Sequence, residues 1–275
     1  MLSVQHIYKQ VGTTSILYAW FVCMHTRVDV VLSNKKEEEG KQIAEDIYKR
    51  LSYLEKIGNC YDPLSELSTI NNSKCGIPTV VGNDLFSMIK MSIQYNEKTN
   101  GYFDISIDSD NYSIDTIKNV YLSEKDSTIT LNKKGLKLNL SGFIKGYGLD
   151  EVKKILEERR IENALVNVGN SSVLAMGNHP FGQGWKVGID FPTTADKKKE
   201  IILKNKCLTT SGNHTLQRKH IRSPYTGELI EGVKGVSVIT DSAAEGEALS
   251  TALFAAETEE KEGMLRHFEA TIYNL

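Results

Sequence analysis

Apolar residues recur along this chain with two periods. Tyr18 to Ser33 reads as a long strand or hairpin, with Arg27-Val-Asp-Val-Val-Leu alternating at period two. From Lys36 to Gly58 the period lengthens. Ile43, Ile47, Leu51, Leu54 and Ile57 fall on one helical face, and the opposite face is charged. The run Lys35-Lys-Glu-Glu-Glu-Gly-Lys is then the solvated start of that helix rather than an interaction tail. Residues 61–76 read as a polar loop. A second helix is predicted over 84–98, carrying Leu85, Met88, Ile89 and Ile93. Strands are predicted near 103–107, 119–122, 128–131 and 136–140, and a third helix over 146–159 with Leu149, Val152, Ile155 and Leu156 on its apolar face. Further strands are expected near 164–168, 173–176, 185–189, 206–209 and 233–239, with a solvated turn at Lys197–Glu200 and a last long helix over 243–256. No internal repeat and no Pro- or Gly-rich linker interrupts the series. Helices inserted between mostly antiparallel strands predict an α+β fold, and residues 1–275 are expected to form one domain.

Composition narrows the function classes. A chain of 275 residues with 40% hydrophobic content has the material for a large core. A net charge of −2 lacks the basic footprint of a nucleic-acid binder. Cys23, Cys60, Cys75 and Cys207 are scattered without a C-x-x-C pair, which predicts reduced thiols rather than a disulfide frame or a zinc site. The apolar run Ser15–Met24 is too short to span a bilayer, and it leads straight into the alternating segment. A cytoplasmic location is the expectation.

Two segments carry candidate chemistry. Leu138 to Gly177 runs from a short apolar strand through Ser141-Gly142 into Lys145-Gly-Tyr-Gly at a helix start, and its second strand ends in Gly169-Asn170-Ser171-Ser172. Glycines at a strand-to-helix step let backbone N–H groups approach an anion; the same glycines also serve a plain tight turn. In the second segment, Ser242-Ala-Ala-Glu245 is a capping box that starts the last helix. Glu247, Ser250 and Thr251 then share one face, an all-oxygen set of the kind Mg²⁺ takes. The alternative is one favourable Glu and two packing hydroxyls, and spacing alone does not choose between them.

Eight pieces, in order, resemble the ApbE family of FAD:protein FMN transferases. They are FVCMHT, DPLSELSTIN, GYFDISI, NLSGFIKGYGLDEV, ALVNVGNS, TTSGNHT, HIRSPYTGEL and GEALSTALF, and they extend from about Tyr18 to about Ala256. The resemblance implies an α+β fold of mostly antiparallel sheets with a flavin cleft between two lobes. It implies Mg²⁺-dependent transfer of FMN from FAD to a Ser or Thr hydroxyl of an acceptor flavoprotein, with release of AMP. By motif position, Met24, Tyr61, Tyr102, Phe103, Asp104, Asn139 and Lys145 fall on flavin contacts, and Arg222 is counted with them. Glu247, Ser250 and Thr251 fall on the metal segment, with the Gly142 carbonyl as a further contact. His220 matches the family histidine and is the candidate general base, because a free imidazole titrates near neutrality. His214 is the reserve.

The chain also departs from the family. His25 replaces a glycine after Met24, and Asn139, Ser223 and Glu247 each replace an aspartate. Val168-Gly-Asn-Ser171-Ser stands where the family reads Val-x-x-Gly-Gly-Asp. Of the changes at Asn139, Ser171, Ser223 and Glu247, those at Asn139 and Ser223 remove negative charge, which weakens an acidic cluster's hold on Mg²⁺. Two alternatives therefore stand beside the transferase: a FAD pyrophosphatase giving FMN and AMP, and a non-catalytic flavin-binding homologue.

Overall fold

The structure is a computed structural model that describes residues 4–189, 199–213 and 221–274. His214 and His220 lie outside the described residues, as do positions 197 and 198 of the expected turn. The frame is an eight-stranded antiparallel sheet. In chain order its strands are β1 (Gln5–Val11), β2 (Thr14–Cys23), β3 (Thr26–Ser33), β7 (Ala164–Val168), β8 (Ser172–Met176), β11 (Lys206–Asn213), β12 (Lys234–Thr240) and β13 (Thr271–Asn274), and this is also their spatial order. A three-stranded sheet joins β4 (Thr79–Val80), β6 (Thr128–Leu131) and β5 (Val120–Ser123), and β9 (Trp185–Ile189) pairs with β10 (Lys199–Leu203). The helices are α1 (Glu37–Gly58), α2 (Glu66–Asn71), α3 (Asn83–Lys98), α4 (Ile144–Glu158), α5 (Ala243–Ala255) and α6 (Thr258–Leu265). Every strand pair is antiparallel, so the α+β expectation holds. Among the described residues, no helix is long and apolar enough to cross a membrane.

Side-chain alternation decides which sheet face is covered. Leu17, Ala19 and Phe21 of β2 and Val28, Val30 and Leu32 of β3 point to one face. There they meet Ile43, Ile47 and Leu51 of α1 and Leu149, Val152 and Leu156 of α4. A second core forms where α5 meets α2, α3 and the small sheet around Phe143, Leu85 and Leu249. On the opposite face of the large sheet, the β9–β10 hairpin is seated by Trp185, Ile189, Ile201 and Leu203 against Val173 and Leu208.

Two expected strands are absent, and the reason is the same in both. Residues 103–107 form turns because Asp104 accepts from the Ser106 backbone N–H at 2.7 Å. Residues 136–140 are extended without a ladder, because the Asn71 side chain takes the place of a neighbouring strand. It accepts from Leu138 N and donates to Leu138 O, both at 2.8 Å. Short polar side chains here supply the hydrogen bonds that a partner strand would. Lys199 and Glu200, expected in a turn, begin β10. The polar loop 61–76 contains α2, whose N-cap Ser65 accepts from Ser68 N at 2.9 Å.

The glycines of the Lys145-Gly-Tyr-Gly step do not form a turn. Both lie within the first turns of α4. A Cβ on Gly146 would meet the Ala243 carbonyl oxygen and stand 2.6 Å from Glu247 Cγ. A Cβ on Gly148 would stand 2.7 Å from Leu51 Cδ2 and 3.3 Å from Met24 Cε. These positions are glycine because α4 is pressed against α5 on one side and against α1 and the β2–β3 turn on the other.

Candidate functional site

The β2–β3 hairpin turns at Met24 and His25, both left-handed with φ of 53° and 56°. Such backbone is unfavourable for residues other than glycine unless it is held. Glu55 of α1 holds it, accepting from Met24 N at 2.8 Å and from Cys23 Sγ at 3.3 Å, with His25 Nε2 at 3.9 Å from its other oxygen. Burial, with the Glu55 charge beside it, pushes the Cys23 thiol up to about 12, so this cysteine is inert.

Around this turn lies a cavity of about 120 Å³, lined by Met24, His25, Glu55, Asn59, Tyr61, Ser141, Ile144 and Lys145, among others. Four structural pieces meet here: the hairpin turn, the end of α1, the loop after it and the start of α4. Tyr61 is 74% exposed at the rim. Its loop is shaped by Asn59, which accepts from Tyr61 N at 3.0 Å, and by Asp62, which accepts from Leu64 N at 2.9 Å. Asn139 reaches the Tyr61 hydroxyl at 3.4 Å and donates to Asp108 at 2.8 Å. Met24, Tyr61 and Lys145, up to about 120 residues apart in sequence, thus line one opening, and Asn139 meets Tyr61 at its rim.

Other candidates are placed elsewhere. Tyr102 is buried with its ring centroid 4.6 Å from that of Tyr225, and Phe103 packs on Phe143 within the core. Asp104 is buried and committed to Ser106 and to the Tyr112 hydroxyl, the latter at 2.8 Å. Burial raises its carboxyl above the ordinary range. These three side chains do not line the cavity. Only the backbone beside them reaches toward it, where Ile105 O accepts from Asn139 N at 2.8 Å. Arg222 donates to the Gly227 carbonyl at 2.6 Å and closes its own hairpin.

Behind the cavity, Lys145 joins α4 to α5. Its ammonium donates to Ser171 Oγ at 2.5 Å and stands 4.0 Å from Glu247 Oε1. Ser171 Oγ is 3.2 Å from Ser172 Oγ, which donates to the Glu247 carboxylate. Glu247 is buried, and burial raises its carboxyl despite the Lys145 charge and the Ser172 hydrogen bond. Ser250 is buried and shares Ser211 with Thr251, at 2.8 and 3.1 Å, within the α5–β11 packing. Gly142 is exposed in the turn before α4, and a Cβ there would meet nothing within 4 Å.

Among the described residues no group of three His, Cys, Asp or Glu side chains is placed to hold a metal. Beside the Glu247 carboxylate stand neutral hydroxyls, which are hard oxygen donors, and the Lys145 ammonium, which would have to give way to or share the carboxylate with a cation. Such an oxygen set fits Mg²⁺, which keeps several waters and takes one or two carboxylates together with substrate phosphates.

Sequence reasoning missed two residues that organise this region. Glu55 is one. The other is Asp150 of α4, which accepts from Ser242 Oγ at 2.6 Å, Ala243 N at 2.7 Å and Ala244 N at 3.1 Å. It caps the start of α5 from a different helix, beside the Ser242 cap that the sequence does predict. The available signal was the acidic pair Asp150-Glu151 set between Leu149 and Val152, both buried on the apolar face.

Residues 24–273 match the sequence profile of the ApbE family. Curated relatives named FAD:protein FMN transferase include one from Haemophilus influenzae, 24% identical over 259 residues, spanning 81% of this chain and 72% of that protein. Another, from Chlamydia muridarum, is 26% identical over 255 residues, spanning 78% of this chain and 76% of that protein. Among solved structures, a flavin transferase ApbE from Vibrio cholerae superposes with a TM-score of 0.81 at 19% identity, covering 98% of this chain and 93% of that one. The ApbE protein of Thermotoga maritima gives 0.78 at 22% identity, covering 98% and 93%.

Proposed function

This chain belongs to the ApbE family, and from that premise we propose that it transfers FMN from FAD to a serine or threonine hydroxyl of an acceptor protein. The relatives at 24–26% identity that carry the name FAD:protein FMN transferase support the reaction type. The observation that carries the reading for this chain is the convergence of Met24, Tyr61 and Lys145 on one opening, with Asn139 at its rim and Glu247 directly behind Lys145.

In the proposed reaction the acceptor oxygen bonds to the FMN phosphorus, the pyrophosphate P–O bond breaks, and AMP leaves with the bridging oxygen. The hydroxyl proton passes to a base, for which His220 is the candidate on resemblance. Tyr61 offers a ring face at the rim for stacking, and Lys145 offers a cation to the pyrophosphate. Glu247 and Thr251, with the Gly142 carbonyl, are the groups that would hold Mg²⁺, which when bound neutralises charge on the phosphates.

The test is intact-mass analysis of serine- and threonine-containing proteins incubated with this protein, FAD and MgCl₂. The expected result is a covalent FMN adduct and one AMP per adduct. Free FMN and AMP without an adduct would make the protein a pyrophosphatase, and FAD bound but uncleaved would make it a binding protein.

A further inference from the structure

A larger cavity lies outside the cleft just described. It measures about 610 Å³ and opens between β9 and the outer face of the large sheet, where Asn167, Ser171 and Thr210 form part of its floor. Its wall includes four consecutive residues, Lys186 to Ile189. Successive side chains of a strand point to opposite faces, so four in a row can line one cavity only if the strand presents its edge. Among the described residues β9 pairs with β10 alone. Alternate residues of an antiparallel strand direct both N–H and C=O away from the partner, so on this side β9 turns backbone groups toward the space that have no partner strand among the described residues. Edges of this kind are ordinarily blunted by proteins that have no use for them.

Position and charge say what fits. Ser171 lines this cavity, Lys145 lines the smaller one, and the 2.5 Å hydrogen bond between them is the partition. A polypeptide lying along β9 therefore ends its path beside the cation assigned to the pyrophosphate. Lys186, exposed, is the one charged side chain among the described lining residues. We propose that this cavity is the acceptor-docking groove, in which an extended segment of the acceptor polypeptide adds to the free edge of β9 with an acidic residue facing Lys186. The proposal rests on the transfer reading above and specifies its second substrate. Backbone pairing supplies affinity for an extended chain, and the pocket's side chains supply the preference. At about 3.3 Å per residue, the five residues of β9 match an acceptor segment of about the same length.

Gly188 allows a clean test. A Cβ there would meet nothing within 4 Å, so Gly188→Leu fills groove space without disturbing the fold. The probe is an oriented library of twelve-residue synthetic peptides with one fixed central threonine, incubated with FAD and MgCl₂ and read by mass for FMN adducts. The wild type should select peptides with Asp or Glu near the threonine. Gly188→Leu should raise KM for the selected peptide at least tenfold, with kcat, FAD affinity and melting temperature unchanged. Lys186→Glu should do the same and shift the selection toward Lys and Arg. Unchanged peptide KM in both variants, with transfer intact, removes the docking groove and leaves the transfer reading standing. A tenfold loss of FAD affinity in Gly188→Leu assigns the cavity to the dinucleotide instead and also overturns the proposal. A wild type that binds or cleaves FAD yet modifies no peptide and no protein overturns both readings together.

Discussion

Replacing Gly146 with alanine tests how α4 and α5 hold the site. The new Cβ would stand 2.6 Å from Glu247 Cγ and 2.7 Å from the Ala243 carbonyl carbon, whereas carbon atoms rest at about 3.5–4.0 Å. Relief requires the helices to part by about 0.8–0.9 Å, because one of the two obstacles is backbone and cannot rotate away. Overpacking of this kind costs about 1–3 kcal/mol, and a backbone obstacle puts it near the upper end. Alanine returns about 1 kcal/mol through better helix propensity. The net loss is about 2 kcal/mol, or a melting temperature lower by about 4–8 °C for a chain of this size. Gly148→Ala is the control. Its obstacles, Leu51 Cδ2 and Met24 Cε, are the ends of flexible side chains, so propensity and crowding should nearly cancel and the melting point should stay within about 3 °C of wild type. Scanning calorimetry on the two variants and wild type decides. A Gly146→Ala protein that melts with or above Gly148→Ala would refute the account of why these glycines are there.

Other outcomes follow from single contacts. Asp150→Ala removes the acceptor for three donors at the start of α5 and should lower urea-unfolding stability by about 3 kcal/mol; a loss below about 1 kcal/mol would mean that Ser242 alone caps the helix. Tyr61→Ala should leave the melting temperature unchanged, since the ring is largely exposed, while weakening FAD binding roughly 2- to 10-fold through lost stacking; equal affinity by titration would remove Tyr61 from the site. Burial raises the carboxyls of Asp104, Asp150 and Glu247. The folded state then keeps protons that the unfolded chain releases, and stability falls as pH rises from the ordinary carboxylate range through the raised values. Asp84, held low by Arg50, acts in the opposite sense, and its contribution is lost only as pH falls through its lowered value. Melting temperature without Mg²⁺ should therefore drop as pH rises above the ordinary carboxylate range, and Glu247→Gln should flatten that slope; parallel wild-type and variant curves would contradict it.

Helical periodicity in the sequence located α1, α3 and α4 to within a residue or two, because each buries one face of a long element; α5, buried nearly all round, was located by its Ser242 capping box. β1, α2, α6 and β13 escaped notice. β1 is an edge strand with Ile7 59% exposed, so its pattern carries little contrast. α2 has only six residues, too few for a period to show. The strands expected at 103–107 and 136–140 were legible as apolar runs, but side chains of Asp104 and Asn71 replaced the ladder. Met24, Tyr61, Asn139 and Lys145 could be named from motif order. Glu55 and Asp150 could not, because each acts on backbone that lies about 31 to 94 residues away in sequence. The Gly-x-Gly step was visible, yet its purpose depends on α5, about a hundred residues further on.

That distance has a consequence during synthesis. The hairpin turn at Met24, the end of α1 and the start of α4 leave the ribosome first, whereas Glu247 and the helix that Asp150 caps arrive about a hundred residues later. At about 5–20 residues per second the delay is about 5–20 s. Throughout it, the α4 face built around Gly146 has no α5 to cover it. A nascent chain stalled before Ser242 holds Met24, Tyr61 and Lys145 yet lacks the helix against which α4 is set, so the opening between them completes itself only once α5 has been made.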